Sequence, residues 1–129
     1  MRKNPISFKF ENEILSAYAK GGLLFEDIVE HYQELFTHPD FFVGIPAVYD
    51  FIEVTEITGD LNFFEQTVQD MGDSNVIKSA SYVAILVSAE NNSMNTIFNA
   101  YSQMMDYTLM NVNVFHCKTK AMEWLKNQV

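Results

Sequence analysis

Three carboxylates follow one another at short spacing near the middle of the chain: Asp50, Glu53 and Glu56. Asp50 falls near the carboxyl end of a predicted strand, where open α/β sheets usually hold their ligands. Carboxylate oxygens are the ligands that hard cations prefer, so the three side chains are candidates for a cation site. A solvated turn is the simpler interpretation, because their spacing matches no metal-binding motif. We therefore expect no bound metal and no cofactor.

Histidines supply the other candidate chemistry. His31, His38 and Asp40 could in principle bind a metal, but isolated histidines without a paired cysteine or histidine spacing are a weak signal. His116 and Cys117 are adjacent, and neighbouring side chains in an extended segment point apart, so a Cys–His nucleophile pair is not expected. Cys117 is instead expected to cap or pack at the start of the final helix.

Motifs of common enzyme classes are missing from the sequence. It contains no nucleophile elbow, no phosphate-binding glycine loop and no dinucleotide fingerprint. The paired glycines Gly21-Gly22 alone indicate a turn. We therefore expect that the chain is not an enzyme.

The negative charge is concentrated in one part of the chain. Of the 17 acidic residues, twelve lie within residues 21–77, a stretch without any Lys or Arg. Nucleic acids and anionic membrane surfaces attract basic proteins, so we expect neither as a partner. Such acidity fits either a basic protein partner or a solvated surface that keeps the protein soluble.

Targeting signals are not evident either. Residues 1–5 are not followed by an apolar segment, and the longest apolar run, residues 82–87, is far shorter than the ~20 residues of a spanning helix. The single cysteine fits a reducing compartment. We expect a cytoplasmic protein without membrane insertion.

Hydrophobic periodicity predicts one α/β domain covering residues 1–129, with elements in the order ββαβαβαβα. Alternating strands and helices favour a mixed, mostly parallel five-stranded sheet with four helices, whose first two strands form an antiparallel hairpin. Gly21-Gly22 is predicted to end the second strand. The predicted strands are residues 6–10, 14–19, 47–52, 81–88 and 112–115, and the predicted helices are residues 25–36, 60–71, 94–105 and a segment around 121–125.

Methionine and aromatic side chains form an apolar stripe on the third predicted helix, from Met94 and Phe98 onward. Ordinary core packing explains such a stripe, and a pliable pocket is the alternative, since methionine adapts to varied neighbours. A pocket between the first or third helix and the sheet would be lined by Phe25, Tyr49, Met94 and Phe98, with Asp50 at the end of its strand. Exposed apolar residues on the last two helices would favour a homodimer.

Several short motifs follow one another along the chain: Gly22 before an acidic amphipathic helix, His38-Pro39-Asp40-Phe41, Val48-Tyr49-Asp50, residues 83–87, and Val114-Phe115 before Ala121-Met122-Glu123-Trp124-Leu125. Their order and spacing resemble those of the STAS-like proteins, the fold of bacterial anti-sigma-factor antagonists, and especially a small uncharacterised bacterial branch of that superfamily. The resemblance implies a STAS-like fold and a non-catalytic protein-interaction or regulatory module. The alternative is a binder or carrier of a small apolar molecule.

Two positions depart from the pattern of these relatives. Regulatory STAS domains carry a phosphorylatable serine before the second helix, whereas Thr58 is the only hydroxyl near that place here. Glu53, Glu56 and Asp60 surround it and would repel a phosphate, so Thr58 is a weak phosphorylation candidate. Leu24 stands where the relatives place a threonine cap, and the first helix is therefore expected to begin poorly.

Overall fold

A computed structural model of the chain describes residues 3–42, 44–59, 62, 66, 81–104 and 110–128. Within them, the strands are β1 (Ser7–Glu11), β2 (Ile14–Leu24), β3 (Ala47–Thr58), β4 (Ser81–Leu86) and β5 (Met110–Phe115), and the helices are α1 (Phe25–Phe36), α2 (Asn92–Met104) and α3 (Lys118–Gln128). The described residues thus contain three helices where four were predicted. The remaining one, over residues 60–71, lies outside the described residues, apart from Asn62 and Gln66, which are helical.

The five strands form one sheet in the order β1-β2-β3-β4-β5. β1 pairs antiparallel with β2, and every other neighbouring pair is parallel. The predicted mixed, mostly parallel sheet is therefore confirmed. Asn12 and Glu13 join β1 to β2 with φ of 55° and 62°, the left-handed pair that a tight two-residue hairpin requires.

β2 is longer than the sequence predicted, because Gly21-Gly22 does not end it. The strand runs on to Leu24, and its pairing with β3 shifts register between Gly21 and Gly22. Gly21 has φ of 76°, a conformation that makes a bulge within a strand. β3 lengthens correspondingly, from its predicted end at Ile52 to Thr58.

Helices cover both faces of the sheet. α1 connects β2 to β3, and α2 connects β4 to β5, so both connections step in the same direction across the sheet. Right-handed crossovers then place both helices on one face, and their apolar side chains do share a single core with that face. α3 covers the other face, where Ala121 and Leu125 form a smaller core with Val48, Ala84 and Leu86.

The start of α1 is better stabilised than its N-cap residue suggests. Leu24 occupies the N-cap and has no side-chain acceptor for the free backbone N–H groups. The Asp27 carboxylate, in the first turn, instead accepts the N–H of Leu24 at 2.9 Å. A negative charge here also suits the positive end of the helix dipole. The expected poor start is thus offset by Asp27.

Membrane spanning was tested on the helices of the described residues. None of these helices is both long enough and apolar enough to cross a bilayer.

Candidate functional site

The interior between α1, α2 and the sheet contains a cavity of about 20 Å³. This is roughly the space that one buried water molecule needs. All but one of the side chains around it are buried, Ile97 being the half-buried member. The lining consists of Ile6, Phe25, Ile28, His31, Tyr32, Tyr49, Phe51, Ile85, Ile97, Phe98 and Tyr101.

Regular periodicity brings these side chains together. On α1, Phe25, Ile28 and Tyr32 follow the three- and four-residue spacing that places side chains on one face of a helix. On β3, Tyr49 and Phe51 are two residues apart and therefore point to the same face of the sheet.

Two buried hydrogen bonds hold the elements together around the cavity. His31 Nε2 lies 2.7 Å from the Tyr49 hydroxyl oxygen and ties α1 to β3. The hydroxyl oxygens of Tyr32 and Tyr101 lie 2.6 Å apart and tie α1 to α2. The aromatic lining of the cavity thus contains two hydrogen-bonded pairs of polar side chains.

His31 is the unusual member of the lining. Its side chain is 1% exposed, and its Nδ1 atom has no hydrogen-bond partner among the residues that the structure describes. Burial disfavours the charged imidazolium and lowers the pKa of His31 to about 4. The ring is therefore neutral at pH 7, with one nitrogen bonded to Tyr49 and the other unpaired.

The tyrosines are neutral as well. Burial raises the pKa of Tyr49 and of Tyr101 well above the usual value, and neighbouring Tyr32 raises both further. Burial also raises the pKa of Tyr32, although its hydrogen bond with Tyr101 acts in the opposite direction. These hydroxyls can exchange hydrogen bonds at pH 7, but none of them is ionised there.

The structure brings together part of the pocket that the sequence predicted. Phe25, Tyr49 and Phe98 all line the cavity. Met94 is fully buried in the same core but is not part of the lining. Asp50 is a correction: it follows Tyr49 on β3, so its side chain points to the opposite face of the sheet.

Sequence reasoning missed the polar half of the site. His31, Tyr32 and Tyr101 were not among the predicted pocket residues, yet they carry its hydrogen bonds. One signal was present: His31 lies three residues after Ile28 and four before Leu35, on the apolar face of α1. A histidine in such a stripe must be buried, although nothing in the sequence gives its partner.

The acidic residues of β3 do not converge on a cation site. Asp50 Oδ1 accepts the N–H of Ile52 at 3.3 Å. Glu53 accepts the hydroxyl of Tyr18, and the Glu56 side chain lies over Gly22. In the part of the chain that the structure describes, no three His, Cys, Asp or Glu side chains are grouped so as to hold a metal ion.

The histidines singled out as possible metal ligands are also separated. His31 is bonded to Tyr49 inside the core, whereas His38 Nδ1 accepts the backbone N–H of Asp40 at 3.1 Å. The His38 ring stacks at a tilt on Phe10, with ring centres 4.7 Å apart. Each ring therefore has a structural role of its own.

Thr58 is the last residue of β3 and is exposed. Its strand partner is Leu24, and the Glu26 carboxylate lies against the following residue, Gly59. Asp60 lies outside the described residues. Phosphorylation of Thr58 stays a prediction, and Glu26 adds to the negative charge that would oppose it.

Cys117 and His116 do not form a pair. His116 Nδ1 lies 3.1 Å from the carbonyl oxygen of Val87. Cys117 is exposed and precedes α3, and its carbonyl accepts the N–H of Ala121. Hydrogen bonds from the backbone N–H groups of Lys120 and Thr119 lower the pKa of the Cys117 thiol. The thiol therefore caps the helix, as the sequence predicted.

The strand order, the antiparallel edge strand and the helices on both faces are consistent with a STAS-like, or SpoIIAA-like, α/β fold. The structure is similar to that of an uncharacterised protein of the DUF3478 family from Shewanella loihica PV-4, described as having a SpoIIAA-like fold. The two share 18% sequence identity with a TM-score of 0.60, over 97% of this chain and 98% of that one. The predicted STAS-like fold with a mixed, mostly parallel five-stranded sheet is thereby confirmed, whereas the described residues contain three helices and not the predicted four. No protein-family model matches the sequence, and no curated protein does.

Proposed function

We propose that the chain is a non-catalytic binding domain that holds a small, mainly apolar molecule in the cavity between α1, α2 and the sheet. The observation that carries this proposal is that one residue, His31, takes part in two unusual features of the core. His31 lines the cavity, and its Nδ1 atom has no hydrogen-bond partner among the residues that the structure describes.

Both features cost stability. At roughly 24 cal/mol per Å³, a cavity of this size costs about 0.5 kcal/mol. A buried polar atom without a partner costs about 1–3 kcal/mol. The surrounding core is well buried, so the two defects are not signs of general loose packing. A bound molecule that fills the space and pairs with His31 would offset both costs, as ligands do in pre-formed apolar pockets.

The electrostatics favour binding over catalysis. A catalytic acid or base works best with a pKa near the operating pH. The pKa of His31 is about 4, and those of the buried tyrosines are raised. Since none of the described residues that line the cavity is Lys, Arg, Asp or Glu, these residues offer contact area and neutral hydrogen bonds.

Benzene is larger than the 20 Å³ cavity and must displace the half-buried Ile97 to enter, so it tests whether this part of the core accepts an apolar molecule. We expect it to raise the free energy of unfolding by ~1 kcal/mol at about five times its Kd, because it binds only the folded state. Ile97→Phe should abolish the effect by filling the cavity. Met122→Phe, a half-buried position on α3 against the other core, is the matched control and should respond like the wild type.

Calorimetric unfolding with and without benzene makes the comparison, alongside native mass spectrometry of the purified protein for a co-purified molecule. If benzene stabilises none of the three proteins and no ligand co-purifies, the proposal is wrong. Equal stabilisation of all three would place the binding outside the cavity and also contradict it.

A protein partner is the second candidate function, favoured by the opposite face of the sheet. Tyr18 and Ile52 are both exposed there, with Asp50 and Glu53 beside them. Tyr18 donates its hydroxyl hydrogen to Glu53, and this hydrogen bond raises the Tyr18 pKa. Exposed apolar groups among carboxylates suit a basic, amphipathic partner segment.

Capture from lysate by immobilised protein tests this second candidate. A basic partner should be retained by the wild type and by Phe42→Ser, an exposed apolar position elsewhere, and should bind Tyr18→Ser/Ile52→Ser at least about tenfold more weakly. Its affinity should fall as salt is raised. Equal retention by all three proteins, or association of the chain only with a second copy of itself, would contradict the idea.

A further inference from the structure

Building on the proposed function, we infer what chemical group the bound molecule presents: an uncharged hydrogen-bond acceptor, a carbonyl-type oxygen, which His31 Nδ1–H binds. The molecule is then a ketone, aldehyde, ester or amide with an apolar body. The inference depends on which nitrogen of His31 carries the hydrogen, on the charges around the ring, and on which described lining residue is only half-buried.

The hydrogen bond between His31 and Tyr49 indicates the tautomer. A neutral imidazole carries one N–H and one bare nitrogen. If Nε2 carries the hydrogen, it donates to Tyr49, and both the Tyr49 O–H and the bare Nδ1 are left buried and unpaired. If Nδ1 carries it, Tyr49 donates to Nε2 at 2.7 Å, and only Nδ1–H is left. Because each unpaired buried group is costly, the second tautomer is favoured.

A buried N–H group without a partner is stabilised when a hydrogen-bond acceptor is placed beside it. The other polar pair in the lining, Tyr32 and Tyr101, has its hydroxyls bonded to each other at 2.6 Å. His31 Nδ1–H is a donor of the lining that has no partner among the described residues, and a bound molecule can satisfy it. Its side chain belongs to the cavity lining and is 1% exposed, so bulk water does not compete freely for this hydrogen bond.

The charges around His31 argue for a neutral acceptor. Asp27 lies one turn earlier on α1 and is itself buried, while Glu30 and Glu34 are exposed on the same helix. From β1, the ring of Phe8 meets the His31 ring edge-on at 5.2 Å. Among the described residues, no basic side chain lines the cavity, so a carboxylate beside them would be a buried charge without a counter-ion, which is strongly unfavourable.

Ile97 indicates where the rest of the molecule lies. Among the described lining residues it is the half-buried one, so part of this side chain is accessible to solvent. The carbonyl group occupies the space beside His31, and an apolar body too large for 20 Å³ displaces Ile97. We therefore expect the site to bind apolar bodies of different sizes on the Ile97 side. It should discriminate most strongly between molecules with and without the carbonyl oxygen beside His31.

Three probes with the same five-membered ring test the inference: cyclopentanone, methylenecyclopentane and the larger, charged cyclopentanecarboxylate. The first two have nearly the same shape, but only the ketone has an acceptor. By titration calorimetry we expect the ketone to bind about tenfold more tightly than the alkene, the effect of one buried hydrogen bond. The carboxylate should bind more weakly than either.

Paired variants isolate the contribution of His31. His31→Phe/Tyr49→Phe replaces both members of one pair with apolar rings, and its preference for the ketone should fall to about one. Tyr32→Phe/Tyr101→Phe removes the other pair in the same cavity and should keep the preference. The ¹⁵N chemical shifts of His31 in the wild type, which require no variant to fold, should show the hydrogen on Nδ1.

The outcomes separate this inference from the proposed function. Equal affinity for ketone and alkene, tightest binding of the carboxylate, or a hydrogen on Nε2 would overturn the inference while leaving an apolar binding site. If none of the probes binds and a single internal water is hydrogen-bonded to His31, the inference is wrong because the proposed function is wrong. Benzene binding tests the proposed function separately.

Discussion

Between pH 7 and pH 4, the free energy of unfolding should fall by about 3 kcal/mol because of His31 alone. In the unfolded chain this histidine titrates near its ordinary pKa of 6.5, whereas in the folded protein burial lowers the pKa to about 4. Between these two values the unfolded chain binds a proton that the folded chain does not. The His31 contribution is therefore constant above about pH 6.5, declines as the pH falls to about 4, and levels off below.

Carboxylates titrate in the same range, so the effect must be measured as a difference. His31→Gln is neutral throughout and retains an amide near Tyr49. Urea unfolding at both pH values should show the wild type losing about 3 kcal/mol more than this variant. His116→Gln, at an exposed histidine, controls for the loss of a histidine as such and should behave like the wild type. Equal pH dependence of the wild type and His31→Gln would show that His31 is not buried as a neutral ring.

The fold was predictable where one local rule determines the outcome. The alternation of Ile6, Phe8 and Phe10 and the stripe on α1 gave the hairpin and the first helix, because burial imposes these periods directly. The extent of β2 was not predictable from Gly21-Gly22. Glycine permits both a turn and a bulge, and pairing with β3 decides between them.

The candidate site was predictable only in its apolar part. Phe25, Tyr49 and Phe98 follow from their places on amphipathic elements, and all three line the cavity. The pairing of His31 with Tyr49 joins residues 18 positions apart, and Tyr32 with Tyr101 joins residues 69 apart. No local pattern encodes such contacts. Asp50 was misplaced because the predicted strand ended at Ile52 whereas β3 runs on to Thr58, and because neighbouring residues of a strand point to opposite faces of the sheet.

Phe98→Ala should lower the free energy of unfolding by about 3–5 kcal/mol, the usual cost of removing a buried aromatic ring. Phe98 is 4% exposed and packs between Phe51 and Tyr101, with ring centres 5.6 Å and 6.5 Å away. The space that it vacates adjoins the existing cavity. The variant therefore combines a large loss of stability with a larger and still apolar binding space, and urea unfolding at pH 7 measures the loss.

Benzene should restore more of this stability than it adds to the wild type, since it fits the enlarged cavity better and binds only the folded state. Leu125→Ala is the matched control. Leu125 is a fully buried residue of α3, on the opposite face of the sheet. Its truncation to alanine should lower the free energy of unfolding by about 2–5 kcal/mol. That new space does not join the α1–α2 cavity, so benzene should restore less. If benzene restores the same free energy of unfolding to both variants, the α1–α2 cavity binds benzene no better than any other cavity created in the core.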